Sequence, residues 1–188
     1  MSQLELTLLA IDALHAQDPT LRDGQPAELL YAQRMTRWLK RLAPQGSAEL
    51  QIAVRSQHLC RWSIPRSTYP MGRTGYLQWR TELAKLHADK ALAVMAAQGF
   101  DEAAQQRTAR IIRKQGIKRD AEVQLLEDCA CLVFIEHDFL SFSARHEEAK
   151  LIAIVQKTWG KMSERAQQQA LQLDLPPEAL ALVAKALA

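Results

Sequence analysis

The chain has 188 residues, of which 48% are apolar and 24% are charged, a size and composition that predict one compact globular domain over residues 1–188. Its 24 basic and 21 acidic residues leave a net charge of only +3, an excess too small to indicate a nucleic-acid-binding protein by itself. The N-terminus has no basic leader, the longest apolar run (129–135) is shorter than a membrane span, and the three cysteines form no CxxC pair. We therefore expect a cytoplasmic protein without a signal peptide, membrane span or disulfide framework.

Helical periodicity recurs along the whole chain, and no alternating strand pattern extends beyond a few residues. Proline, glycine and N-capping residues divide the chain into about nine helices. The predicted helices cover residues 2–16, 27–42, 47–62, 74–99, 101–114, 120–142, 147–159, 163–173 and 177–187. The sequence therefore predicts an all-α fold, with residues 17–26 as a loop and an irregular stretch between Pro65 and Gly75.

The segment RSQHLCRWSIPRSTYPMGRTGYLQWRT, residues 55–81, is the most biased part of the chain. It holds five arginines, two tryptophans and two tyrosines, but neither lysine nor an acidic residue. A guanidinium group offers a planar fork of donors and stacks on aromatic rings, so this composition favours recognition of an anion. Solvent-exposed arginines are the alternative interpretation. The candidate ligand-binding residues are Arg61, Trp62, Arg66, Tyr69, Arg73, Tyr76 and Arg80.

Two histidines bracket this segment. We expect His58 on the third helix, on a face shared with Arg55 and Trp62, and His87 on the fourth helix, two turns from Arg80. Nearby arginines would keep the imidazole of His58 neutral and therefore able to act as a metal ligand or a base. The alternative for each histidine is an ordinary core or surface residue.

Glu127 and Asp128 interrupt the most apolar helix of the chain, which reads VQLLEDCACLVFI. A buried, ionised carboxylate without a partner is costly, so we expect these acids to pair with arginine or to bind a metal. An internal salt bridge to the arginine-rich segment would satisfy the same requirement.

The segments ELLYAQRMTRWL, RSQHLCRWSIPRSTYPMGRTGYLQWR, KLHADKA and LLEDCACLVFIEH resemble those of an uncharacterised bacterial and fungal family, domain of unknown function 4202. The resemblance covers nearly the whole chain, and its QHxxRWxxPR stretch is specific. The family brings no established activity.

The order of the helices is also similar to that of the HD superfamily of metal-dependent phosphohydrolases, an all-α fold that binds metal through a His, a His-Asp pair and a late Asp. This similarity implies an HD-like helical bundle. It places His58 at the histidine of the pair, His87 on the next histidine-bearing helix and Asp128 at the late aspartate. It thus implies a divalent metal on His58, His87 and Asp128.

Three positions depart from the HD pattern. Leu59 stands where the pair has its aspartate, Tyr31 stands near the expected first histidine, and Lys114 stands where another histidine often lies. Water or substrate would therefore have to complete the coordination of a metal.

These residues suggest three functions. The first is a metal-dependent hydrolase of a phosphate ester or nucleotide, with an arginine and aromatic clamp on the phosphate and with His58, Glu127 and Asp128 as catalytic residues. The second is a non-catalytic protein that binds an anionic small molecule, such as a phosphate or nucleotide-like compound. The third is RNA binding, in which the aromatic side chains stack on bases.

Overall fold

The computed structural model describes residues 1–143 and 146–188, and within them it places ten α-helices. They are α1 (Gln3–His15), α2 (Ala27–Leu42), α3 (Ala48–Arg55), α4 (Arg73–Ala97), α5 (Glu102–Ile112), α6 (Ala121–Val133), α7 (Phe139–Ser143), α8 (Glu148–Trp159), α9 (Glu164–Leu171) and α10 (Pro177–Leu187). Two short 3-10 turns, Arg61–Ser63 and Arg66–Thr68, join α3 to α4. The predicted all-α fold is confirmed.

Several helices begin where a polar side chain replaces the missing intrahelical acceptor. Ser47 Oγ accepts a hydrogen bond from Leu50 N at 3.1 Å, and a carboxylate oxygen of Asp101 accepts one from Ala104 N at 2.8 Å. Such side chains satisfy amide groups that the first helical turn leaves unpaired. These caps explain why the predicted starts of α3 and α5 agree with the structure.

The core lies where α3, α2, α5 and α6 pack together. α3 is its centre, since Leu50, Ile52 and Val54 are completely buried. α4 covers α5, and α8 packs against α10. None of the helices in residues 1–143 and 146–188 combines the length and apolar character that crossing a membrane requires.

The loop predicted at 17–26 contains a minimal hairpin instead. Strand β1 (Leu21–Arg22) pairs antiparallel with β2 (Gln25–Pro26). Asp23 and Gly24 form the connection with φ values of 51° and 77°. An Asp-Gly pair tolerates this left-handed conformation, which a two-residue hairpin turn requires.

The third helix ends at Arg55, so the prediction that it continues to residue 62 is wrong. His58 and Cys60 adopt φ values of 64° and 57°, which are incompatible with a right-handed helix. The end of α3 is held from outside, because His15 Nε2 lies 2.9 Å from the carbonyl oxygen of Arg55. The guanidinium of Arg55 also forms two 2.6 Å hydrogen bonds to Asp12. The predicted shared helical face of His58, Arg55 and Trp62 therefore does not exist.

The predicted helix over residues 120–142 is interrupted by a π-helical turn, Phe134–Asp138, between α6 and α7. Hydrophobic periodicity does not reveal such a turn, since one extra residue per turn changes the pattern only locally. π-Helical turns are frequent beside functional sites. Phe134 and Asp138 both line the main cavity of the protein.

Candidate functional site

A cavity of about 1010 Å³ is enclosed by α2, α4, α6 and α8 and by the turns that follow α3 and α5. Its lining includes His58, His87 and Glu127, together with Arg61 and Arg80. With Tyr76, six of the site residues that the sequence singled out thus meet at one place. We take this cavity as the candidate site.

His58 enters the cavity because the chain turns sharply after α3. The left-handed φ of 64° is uncommon for a residue other than glycine, and such conformations cost energy that the surrounding packing must offset. The neighbouring Leu59 is completely buried in the core and fixes the turn from inside. Because of this left-handed backbone conformation, the imidazole lies beside polar partners and not along the face of a helix.

Both ring nitrogens of His58 have partners. Nδ1 lies 3.0 Å from Oε2 of Glu28, and Nε2 lies 2.9 Å from Nη1 of Arg61. A guanidinium only donates, so Nε2 must accept, and the ring proton is assigned to Nδ1, which donates to Glu28. The ring of Tyr31 stacks on the imidazole at 4.1 Å with an interplanar angle of 9°. Glu28, Tyr31 and Arg61 together therefore fix the orientation of the imidazole.

Burial lowers the pKa of His58 well below its ordinary value, and the positive charges of Arg61 and Arg80 lower it further. Burial has the opposite effect on an acid, and it raises the pKa of Glu28 to about 7 although Arg61 acts against this rise. The imidazole is consequently neutral at neutral pH. The carboxyl of Glu28 titrates in the physiological range.

Glu28, which contacts His58 from outside the cavity lining, is one residue that the sequence did not reveal; the lining residues Phe134, Phe142 and Lys161 are others. It lies in the first turn of α2, where an acid is ordinarily explained by the helix dipole. The one sequence feature that could have drawn attention to Glu28 is its spacing from Tyr31, since residues three apart share one face of a helix. That spacing places Glu28 and Tyr31 side by side but does not indicate which partner they meet.

His87 faces the same cavity from α4. Only 5% of its surface is exposed, and its ring centroid lies 6.0 Å from that of His58. Burial, together with the neighbouring His58 and Arg61, lowers the pKa of His87 to about 2. Its Nε2 has no hydrogen-bond partner among the described residues. A buried polar atom without a partner is uncommon and indicates a place for a ligand or water.

Two of the predicted arginines and one tyrosine line the cavity. The guanidinium of Arg61 lies 4.9 Å from the ring centroid of Trp79, and the ring of Trp79 is anchored by a 2.8 Å hydrogen bond from Nε1 to Ile64 O. Arg80 is exposed at the cavity, and no carboxylate of the described residues forms an ion pair with it. Tyr76 is 44% exposed and packs against Trp79.

Four other predicted ligand-binding residues do not line this cavity. The guanidinium of Arg66 donates to the carbonyl oxygens of Tyr69 and Pro70, both at 3.0 Å, so it braces its own loop. Arg73 is exposed at the start of α4. Trp62 and Tyr69 border separate, smaller depressions.

The two acids of α6 have different surroundings. Glu127 lines the cavity and forms ion pairs with Lys114 and with Lys161, the latter at 3.5 Å. Burial alone would raise the pKa of Glu127, but the two lysines outweigh burial and lower it.

Asp128 does not line the cavity. Its carboxylate accepts hydrogen bonds from Ser163 N at 2.8 Å and Ser163 Oγ at 2.6 Å. The prediction that these two acids pair with arginine is therefore wrong. Two lysines neutralise Glu127, and Ser163 at the start of α9 donates hydrogen bonds to Asp128.

The cavity carries an excess of positive charge. Its lining in the described part of the chain includes six basic residues and two carboxylates, namely Arg61, Arg80, Lys85, Arg113, Lys114 and Lys161 against Glu127 and Asp138. Asp138 is already paired with Arg22, and Glu127 with its two lysines. Neither of these two lining acids is therefore left to neutralise Arg61 or Arg80; Glu28, which is not part of the lining, is the acid on which the charge of Arg61 acts.

The model of the family described as Domain of unknown function (DUF4202) matches residues 5–183. The chain belongs to this family. The match spans α1 through most of α10, so it includes every residue of the cavity. No curated protein and no solved structure matches the chain. The predicted membership of DUF4202 is confirmed, and the distant relationship to the HD superfamily stays a prediction.

The donors in this DUF4202 cavity do not fit the metal site that the HD resemblance implies. Nε2 of His58 is occupied by Arg61, and Asp128 is directed to Ser163. Residues 1–143 and 146–188 contain no group of three or more His, Cys, Asp or Glu side chains arranged to hold a metal. Only Nε2 of His87 is free, and protein metal sites commonly supply three or four ligands. A metal on His58, His87 and Asp128 stays a prediction.

Proposed function

We propose that the cavity binds an anionic small molecule, of which an organic phosphate is the best fit. The observation that carries the proposal is the pair Arg61 and Arg80, two guanidinium groups at one cavity that have no carboxylate partner within ion-pair distance in the described chain. Cations that share a cavity and lack a carboxylate partner create a positive potential there, which favours an anion. Planar guanidinium groups match phosphate oxygens in a bidentate geometry.

Arg61 is prepared for this role before any ligand arrives. Its guanidinium is held between the ring of Trp79 and Nε2 of His58. A side chain that is already ordered loses little conformational entropy on binding, so more of the interaction energy appears as affinity. Nε2 of the neutral His87, which has no partner among the described residues, adds hydrogen-bonding capacity without a negative charge that would repel an anion.

Calorimetric titration of inorganic phosphate into the full chain, at constant ionic strength, tests the proposal. We expect measurable binding, and we expect Arg80→Gln to weaken it roughly 10- to 100-fold, since a charge-assisted hydrogen bond is lost. Arg73→Gln is the matched control because Arg73 lies on the same helix but outside the cavity, and it should leave the affinity unchanged. Absence of binding, or equal loss in both variants, would overturn the proposal.

A metal-dependent phosphohydrolase is the second candidate. The observation in its favour is that His58 and His87, both neutral and 6.0 Å apart, share a cavity with Glu127. Hydrolysis of p-nitrophenyl phosphate in the presence of Mg²⁺ or Mn²⁺, with metal analysis of the protein, tests this candidate. Activity that requires metal and disappears in His87→Asn would favour it over simple binding.

RNA binding is the third candidate, and the surroundings of Trp79 argue against it. Trp79 is only 7% exposed and its ring is covered by Arg61, so no base can stack on it. An RNA interface would also lose affinity steeply as the salt concentration rises. Filter binding of a single-stranded RNA at two salt concentrations distinguishes this candidate from the small-molecule site.

A further inference from the structure

The cavity has an apolar part that anion binding does not require. Phe134 of the π-helical turn, Phe142 of α7 and Ile154 of α8 all line it. The rings of Phe134 and Phe142 meet edge to face, with centroids 5.8 Å apart and an interplanar angle of 76°. Both phenylalanines are only half-buried, so their rings retain surface that a ligand can cover.

Two further apolar side chains lie at the cavity on α4. Tyr76 is 44% exposed and Leu77 is 52% exposed, and both belong to the cavity lining. Large apolar side chains are exposed singly on many proteins, but here two neighbouring ones border the same cavity as the phenylalanines. An apolar part of a ligand that lies among these side chains would remove both its own apolar surface and theirs from contact with water.

The same cavity is lined by basic residues. Arg61, Arg80 and Lys114 are the cations that most strongly affect His58. They belong to the turn after α3, to α4 and to the turn after α5, whereas Phe134, Phe142 and Ile154 come from the chain between α6 and α8. The lining therefore combines cationic residues with apolar and aromatic residues, and α4 contributes to both groups through Arg80 and through Tyr76 and Leu77.

The volume distinguishes between possible anions. Inorganic phosphate would occupy a small part of a cavity of about 1010 Å³, whereas pockets that bind drug-sized molecules have volumes of about 300–1000 Å³. We propose that the ligand is an organic phosphate whose other end is an apolar, aromatic group, with the phosphate at Arg61 and Arg80 and the aromatic group at Phe134 and Phe142. This proposal rests on the anion-binding function above and names the class of ligand.

Three probes separate the phosphate contribution from that of the organic group. Inorganic phosphate carries the charge alone, ribose 5-phosphate adds a polar body, and 1-naphthyl phosphate adds an apolar aromatic body. We expect 1-naphthyl phosphate to bind at least about tenfold more tightly than inorganic phosphate, because its rings bury apolar surface. We expect ribose 5-phosphate to gain no more than about threefold, because a polar body buries little apolar surface.

Phe142→Ala tests where the aromatic group binds. We expect it to lower the ratio of 1-naphthyl phosphate affinity to inorganic phosphate affinity at least about fivefold, since the edge of one ring is removed. Leu180→Ala is the control, because Leu180 is an exposed apolar residue of α10 outside the cavity, and it should leave the ratio unchanged. If Phe142→Ala does not fold, as judged by circular dichroism, Phe134→Leu gives the same test with less loss of volume.

The outcomes separate this inference from the proposed function. Equal affinities for the three probes, or an unchanged ratio in the variants that fold, would overturn the aromatic ligand class and leave anion binding intact. Failure of all three probes to bind would overturn anion binding itself, and this inference with it. A preference for ribose 5-phosphate would replace the aromatic class with a polar one.

Discussion

The carboxylate of Glu28 lies 3.0 Å from Nδ1 of His58, and Nη1 of Arg61 lies 2.9 Å from Nε2 and 3.4 Å from Nδ1 of the same ring. An acid, an imidazole and a guanidinium therefore form one hydrogen-bonded chain that connects the start of α2 with the turn after α3. Side chains that hydrogen-bond to the ring nitrogens of a histidine fix its tautomer and its orientation. Burial and the positive charges of Arg61 and Arg80 keep the ring of His58 neutral, and the hydrogen-bonded chain fixes how that ring is oriented.

Replacing Glu28 by Gln should change how stability depends on pH. Burial raises the pKa of Glu28 from near 4.5 to about 7, so between these values the folded protein binds a proton that the unfolded chain has released. Stability due to this residue therefore falls as pH rises through that window. The free energy of unfolding of Glu28→Gln, measured relative to that of the wild type, should therefore rise by on the order of 1–3 kcal/mol when the pH is raised from about 5 to about 8. Urea denaturation at the two pH values measures this change, and an identical difference at both would contradict it.

His87 should make the fold sensitive to acid. The unfolded chain takes up a proton on this residue near pH 6.5, whereas burial keeps the pKa of the folded residue at about 2. Stability is therefore complete above about pH 6.5 and declines below it, by roughly 1 kcal/mol for the first pH unit. We expect His87→Asn to remove this part of the decline. Denaturation curves at about pH 5.5 and 7.5 check it; an equally steep decline in the variant would show that other groups cause it.

Arg61→Lys should weaken phosphate binding although the charge is kept. Lysine lacks the planar fork that binds phosphate oxygens in pairs and stacks on Trp79. We expect a loss of about tenfold in affinity, measured by calorimetry. Arg73→Lys provides the comparison at an exposed position outside the cavity. Equal affinities of Arg61→Lys and wild type would contradict a guanidinium clamp.

Asp128→Asn should destabilise the protein without changing phosphate affinity. Asp128 is 2% exposed and receives two hydrogen bonds from Ser163, one of which constrains the start of α9. Loss of a charge-assisted buried pair costs about 1–3 kcal/mol. Thermal unfolding and calorimetry on the same preparation check both parts. Loss of metal binding or of hydrolytic activity in this variant would instead support the predicted metal role of Asp128.

Gly75→Ala should disturb the loop that carries the arginines. A Cβ at Gly75 would lie 2.0 Å from Pro70 O, a distance that backbone atoms cannot accommodate without moving. We expect a loss of about 1–3 kcal/mol in the free energy of unfolding. Gly160→Ala is the control, since the nearest atom there is at 3.4 Å and φ is −63°. Similar destabilisation by both substitutions would show that the close approach is not the cause.

The sequence predicted the helices more successfully than the connections between them. Capping residues such as Ser47 and Asp101 interact within their own turn, so their effect can be read locally. The helix predicted through His58 failed because an external contact, from His15 to the carbonyl oxygen of Arg55, helps to end α3. Periodicity carries no information about partners that lie 40 residues away.

For the same reason, the sequence indicated only part of the candidate site. Composition alone indicated that the arginine-rich segment and its two histidines matter, and the structure brings Arg61, Arg80, His58 and His87 to one cavity. Composition could not show that Arg61 lines the cavity whereas Arg66 does not, because both are arginines in an irregular stretch. Arg66 is used by the carbonyl oxygens of its own loop, whereas Arg61 is held by Trp79 and His58.

By itself the sequence determined the all-helical fold, the family and the part of the chain that carries the site, because apolar spacing, caps and residue bias act over a few residues. Tertiary structure alone decided which charges are paired. Glu127 meets Lys114 and Lys161, Asp128 meets Ser163, and Glu28 meets His58. Burial favours such contacts, since a buried acid must find a partner or else take up a proton, as the raised pKa of Glu28 shows. Which partner it finds depends on how the helices pack.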